Sequence, residues 1–196
     1  MPYPQNNRRQ YKPAPPKRDP NVPLTENERE KLTRRSFNVC YWHLGRSDKT
    51  RKELYDKLVI KDIPADIIES TLNKLEDDNY INDVRYTENF IRSRQEYRKL
   101  GKRAIEFELK RKGISNDIAR EALSEIESDT EYENAVALVQ SKLKSSRGLE
   151  RQKRTNRLVS MLARKGYDGG IAFSVVKEAL DNEPPEEDEN EESEDF

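Results

Sequence analysis

Apolar residues recur along this chain at helical spacing, and the spacing itself recurs. In GKRAIEFELKRKGISNDIAREAL, residues 101–123, Ile105 and Leu109 lie one turn apart. Gly113 breaks the pattern, and Ile114, Ile118 and Leu123 resume it. The same five positions occur about fifty residues earlier as Leu54, Leu58, Ile63, Ile67 and Leu72, and about fifty later as Leu158, Leu162, Tyr167, Ile171 and Val176. A short helical unit with one apolar stripe cannot bury it alone. Three copies therefore predict a repeat protein whose units lean on one another.

Caps and breakers divide the pattern into helices. Thr25 to Glu28 and Thr50 to Glu53 both read as capping boxes, opening one helix to about Leu44 and a second that carries Leu54 and Leu58. Pro64 suits the first turn of a third, with Ile67, Ile68, Leu72 and Leu75 inward. Asn82 or Asp83 caps a fourth, which holds Tyr86, Phe90 and Ile91 and runs to Gly101. The fifth spans Lys102 to Lys112, and the sixth runs from Ser115 to about Glu127. Thr130 to Glu133 reads as another capping box and starts the seventh, which Ser145 to Gly148 breaks. The eighth holds Leu158, Met161 and Leu162 and stops at Gly166; the ninth carries Ile171, Val175, Val176 and Leu180. No stretch alternates with the period of a half-buried strand. The expected fold is all-α, an elongated array of three tandem three-helix repeats over residues 25–79, 80–128 and 129–181, between disordered tails at 1–24 and 182–196.

Composition narrows this further. With 33% hydrophobic and 38% charged residues in 196, one thick core is excluded. The net charge of −1 hides an asymmetry. Residues 1–24 hold five Lys/Arg and one Asp, residues 181–196 hold ten Asp/Glu and no base, and the stretch between is at +5. Such a layout suits a protein that meets an anionic partner. In the head, Tyr3 and Tyr11 among Arg8, Arg9 and Lys12 could stack on nucleic acid; a solubilising tail is the plainer reading. Cys40, the single cysteine, sits in an apolar helical pattern and reads as core. No apolar run reaches the length of a membrane span, and no apolar signal region opens the chain. A soluble cytoplasmic protein is expected.

Charge placement gives the candidate sites. With Ile105 and Leu109 inward on helix five, Arg103, Phe107, Lys110 and Arg111 fall on the opposite side. An aromatic ring among cations suits an acidic protein surface, or phosphates and bases; otherwise Phe107 packs on a neighbouring module. On helix eight, Lys153, Arg157 and Arg164 face away from Leu158 and Leu162. Lys142, Lys144, Arg147, Arg151, Arg154 and Lys165 extend the run, and only Glu150 opposes it. Helix two is mixed, with Lys52, Asp56, Val59 and Ile60 outward. Catalytic chemistry is thin. His43 stands alone beside Trp42, no phosphate-binding loop occurs, Gly169-Gly170 reads as a turn, and no carboxylate pair sits in an apolar stretch. The reading is a non-enzymatic protein without metal or cofactor.

TRKELYDKL (50–58), YINDVRYTENFI (80–91) and GKRAIEFELKRKGI (101–114) resemble the RecX family, regulators of the RecA recombinase. The likeness covers about Phe37 to Leu180. Asp83, Arg85 and Tyr86, with Gly101, Gly113 and Gly166, carry its motif positions, and LARKGY (162–167) echoes it. Three departures stand out: Thr50 where serine is usual, Lys61-Asp62 where a lysine-glycine turn is usual, and Asn79 in place of a common glycine. The resemblance implies a curved monomer that lies in the groove of the RecA–DNA filament, makes weak contact with DNA, and restrains ATP hydrolysis and strand exchange in DNA repair, recombination and the SOS response. Two other readings stay open: a direct DNA binder with helix-turn-helix-like modules, and a helical adaptor for some other protein. The acidic tail is also expected to fold back on the basic face of helix eight.

Overall fold

The helix starts are largely local chemistry. Thr25 and Thr50 each accept from the amide three residues on, and Glu28 and Glu53 reach back to the capping backbone, closing both boxes. Asn82, Ser115 and Asp168 cap with their side chains. The computed structural model describes residues 23–184. Within them lie nine α-helices and no strand: α1 (Glu26–Leu44), α2 (Arg51–Val59), α3 (Ala65–Asp77), α4 (Asp83–Arg98), α5 (Lys102–Arg111), α6 (Asn116–Ser124), α7 (Ser128–Leu143), α8 (Arg151–Arg164) and α9 (Gly169–Asp181). A single 3-10 turn, Lys144–Ser146, follows α7. The tails beyond these bounds, with Tyr3, Tyr11, Arg8, Arg9 and Lys12, lie outside the described residues.

The helices pack in threes, each around its own apolar cluster. Leu54, Leu58, Ile67, Ile68, Leu72 and Leu75 form the first. Phe90, Ile91, Ile105, Leu109, Ile114 and Leu123 form the second, and Ala135, Val139, Leu158, Leu162, Val175 and Val176 the third. Every residue in the threefold register is buried except Ile118 and Ile171, which are half-buried against the second and third clusters. Each buried leucine or isoleucine contributes roughly 1.5–3 kcal/mol, so three thin cores do the work of one thick one. Cys40 is fully buried in the first, and burial pushes its thiol up to about 11. Leu24, assigned above to the tail, packs against this cluster too.

The turn after the second helix of each triplet is the same device three times. Ile63, Ile114 and Tyr167 donate their amides back to Leu58, Leu109 and Leu162 at 3.2–3.3 Å. The residue before each is left-handed: Asp62 at φ 56°, Gly113 at 81° and Gly166 at 89°. Lys61-Asp62 thus departs from the family pattern in sequence but not in shape.

Three boundaries differ from the sequence expectation. α4 stops at Arg98 rather than Gly101, because Lys99 turns left-handed at φ 46°. α6 ends at Ser124, and Ile126 folds under the second core. α7 opens at Ser128 without a side-chain cap. The expected Thr130 capping box does not form, because the helix already runs through Thr130; Glu131, which is buried, accepts from a distant amide described below.

Candidate binding faces and the junctions that order them

Two polar junctions join the triplets, and they are built alike. At the first, the amino end of α2 sits on the carboxyl end of α5. The Thr50 hydroxyl donates to the Lys112 carbonyl at 2.7 Å, and Lys112 Nζ pairs with Glu53 at 2.6 Å. Asp83, at the start of α4, accepts from the Arg51 amide at 3.0 Å. At the second, the amino end of α5 sits on the carboxyl end of α8. The Gly101 amide donates to the Lys165 carbonyl at 3.0 Å, and Glu131 of α7 accepts from the Lys102 amide at 3.1 Å.

The rule is common to both. A helix amino end carries unsatisfied amides and partial positive charge. Here a carboxylate from the next triplet's first helix takes one amide, and a carbonyl at the next triplet's second-helix end accepts from the cap. The motif positions Asp83 and Gly113 belong to the first junction, Gly101 and Gly166 to the second. Tyr86 lies half-buried beside Glu53 and Lys112 and stacks on Phe90 with ring centres 5.8 Å apart; burial raises its phenol above 10.0. Arg85 stays exposed and reaches the Asn79 carbonyl at 3.4 Å, bracing a turn in which Asn79 is left-handed at φ 59°. Tyr167 reaches across the second junction to the Lys99 carbonyl at 2.9 Å.

The candidate side chains divide by what they touch. Ile105 and Leu109 are fully buried, and Arg103, Phe107, Lys110 and Arg111 are all exposed on the far side of α5. Phe107 is 63% exposed and so does not pack on a neighbouring module. Arg103 is drawn into the second junction, pairing with Asp168 at 2.5 Å. Lys153 lies 3.7 Å from Glu150. Lys110, Arg111, Arg157 and Arg164 are exposed and enter no ion pair among the described residues. Arg111 and Arg164 hold equivalent places, one residue before Lys112-Gly113 and Lys165-Gly166.

The basic run around α8 is less one-sided than its sequence implies. Arg147 and Arg154 converge on Glu183 at 2.9 and 2.5 Å, and Arg151 pairs with Asp181. These carboxylates come from the end of α9 and beyond, too far along the chain to be counted with the run. Burial would raise the Glu183 carboxyl, but the two arginines outweigh it and hold it below 4.5. No helix among the described residues is long and apolar enough to cross a membrane.

Comparison with known proteins agrees with this architecture. The family profiles described as the first, second and third three-helix domains of RecX match residues 37–75, 82–123 and 129–176. The regulatory protein RecX of Streptomyces lividans is 39% identical over 145 residues, covering 74% of this chain and 77% of that one. The regulatory protein RecX of Thermobifida fusca is 34% identical over 159 residues, covering 81% and 86%. The crystal structure of RecX from Lactobacillus salivarius superposes with a TM-score of 0.72 at 28% identity, over 76% of this chain and 97% of that one. Three helical triplets in the same order, and identity sustained over most of both chains, place this protein in the RecX family of regulatory proteins.

Proposed function

We propose that this protein binds the filament that RecA forms on DNA and restrains its ATP hydrolysis and strand exchange, without chemistry of its own. The observation that carries this is the set of unpaired cations on α5 and α8. Lys110 and Arg111, then Arg157 and Arg164, stand on the exposed faces of two helices set end to end. Arg111 and Arg164 hold equivalent places in the second and third triplets, so one cation repeats at the step of the triplets, while the matching place in the first is Ile60. Single exposed charges attract weakly. Four of them, shared by two modules held rigidly end to end, meet a repeating anionic polymer at more than one point, and each docked module holds the next at high effective concentration.

The test is DNA-dependent ATP hydrolysis by RecA with rising amounts of this protein. The rate should fall to a plateau, and the double charge reversals Arg157→Glu/Arg164→Glu and Lys110→Glu/Arg111→Glu should each weaken the effect at least tenfold. A rate that never changes at saturation overturns the proposal. Direct DNA binding is the second reading, favoured by Phe107 standing clear of the fold beside Lys110 and Arg111. It predicts affinity for free DNA that falls steeply with salt when no recombinase is present.

A further inference from the structure

A groove between α1 and α2 lies apart from the faces and junctions described above. It encloses about 550 Å3, with Val39, Trp42 and Ile60 as its apolar lining and Arg35, Lys57 and Lys61 beside them. Trp42 is 57% exposed and Ile60 70%, far more than folding requires of side chains this large. Several charges elsewhere on this triplet are matched: Arg29 with Asp66, Arg34 with Glu30, Arg51 with Glu69 and Glu76, Lys52 with Asp56, and Lys74 with Asp78. Arg35, Lys57 and Lys61 enter no ion pair among the described residues, and neither does Arg46. The groove therefore joins uncovered apolar surface to uncompensated positive charge. His43 on its wall reports the same field. Burial, then Lys57, Lys49, Arg46 and Lys61, holds its imidazole below 6.5.

The shape selects between two anionic occupants. A nucleobase needs an open aromatic face. One face of the Trp42 ring already carries the Arg46 guanidinium, 3.4 Å from the ring centre, and His43 stands edge-on at 4.7 Å. The other apolar lining residues, Val39 and Ile60, are aliphatic, which suits a bulky apolar side chain from a protein. We propose that this groove docks an acidic protein segment, which inserts one bulky apolar side chain between Trp42 and Ile60 and sets its carboxylates against Arg35, Lys57 and Lys61. The proposal goes beyond the filament reading and does not rest on it, since it is measured with neither recombinase nor DNA present.

Trp42 is the only tryptophan, so the intrinsic fluorescence of the full chain reports this groove alone. The probes are a synthetic glutamate-rich twelve-residue peptide with a central phenylalanine, the same peptide with alanine in its place, and an oligothymidylate of equal charge. The phenylalanine peptide should shift Trp42 emission saturably. The alanine peptide should bind about tenfold more weakly or worse, as expected for one lost phenyl contact. Ile60→Asp and the double variant Lys57→Glu/Lys61→Glu should each lose at least as much. All three side chains are exposed, so the folded state should survive, and the circular dichroism melt checks this; if Ile60→Asp unfolds, the lysine pair decides. The proposal is overturned if no peptide binds at millimolar concentration. Equal binding of the two peptides, an unaffected lysine double variant, or tighter binding of the oligothymidylate would overturn it as well.

Discussion

A methyl group at position 166 has nowhere to go. Gly166 is left-handed at φ 89°, and a Cβ there would overlap the backbone and side chain of Ala104 in the preceding triplet. Gly101 faces it so closely that its own Cβ would lie 2.6 Å from the Gly166 carbonyl oxygen. Gly148 provides the control, at φ 80° with nothing within 4 Å of a Cβ. Gly148→Ala should cost only the left-handed penalty, roughly 1–2 kcal/mol. Gly166→Ala should cost that plus the overlap, about 2 kcal/mol more, read as the difference in urea midpoints at constant slope. Equal losses would mean that the second junction yields freely. The same contrast explains Asp62. It occupies the same left-handed turn in the first triplet, where no further module packs against it, so a side chain is tolerated. The sequence shows the substitution, but only the junction shows why glycine is needed at 113 and 166 and not at 62.

At the scale of the element, the amino ends of α2 and α5 are completed by the next triplet rather than by their own side chains alone. This is what the sequence could not show. Thr25 and Thr50 were legible because a capping box is local, its partners three residues apart. Thr130 to Glu133 has the same pattern, but α7 opens two residues earlier, so Thr130 lies inside the helix and cannot cap it, while Glu131 serves the Lys102 amide, 29 residues earlier, by a tertiary bond that no local pattern announces. Glu131→Ala leaves that amide without its acceptor and should cost about 1–2 kcal/mol, whereas Glu131→Gln keeps an oxygen there and should cost less. Thermal unfolding of the two variants separates them, and equal losses would remove the capping role. Asp83 adds a pH signature. Burial, opposed by the Arg51 amide and charge, holds its carboxyl above 3.8 in the folded chain. The native state therefore keeps this proton more tightly than the unfolded one. The stabilisation that protonation gives is complete below 3.8 and is lost as pH rises through the raised value. Asp83→Asn removes the titration, so its stability relative to the parent should improve between about pH 3.5 and pH 7 in urea unfolding. A relative loss over that interval would show the ionised carboxylate to be the better junction partner.

Across the whole molecule, the threefold apolar register was readable because each triplet buries the same positions. The outward set on α5 followed from the same geometry. The groove beside Trp42 did not, because Trp42 lies off the core stripe of α1, Val39 at its edge is half-buried against the first core, and the two meet Ile60 only once α2 folds back. Distance along the chain also hid the neutralisation of the third triplet, where Glu183 clamps Arg147 and Arg154 and Asp181 meets Arg151. Eight further acidic residues follow at 186–196. They begin three residues beyond that clamp, while Lys142, Lys144, Arg157 and Arg164 of the same triplet remain exposed and unpaired among the described residues. A tethered polyanion this near is expected to compete with any anionic partner for these cations, by attraction that weakens beyond about 10 Å at 0.1 M salt. Removing residues 186–196 while keeping Glu183 leaves the clamp intact and takes away only the competitor. The truncated chain should bind the RecA–DNA filament several-fold more tightly than the full chain at low salt, and the two should converge as salt is raised. Equal affinity at low salt would mean that the acidic segment does not reach the face it would have to shield. A gap that persists at high salt would point to an apolar contact by the segment instead of a Coulombic one.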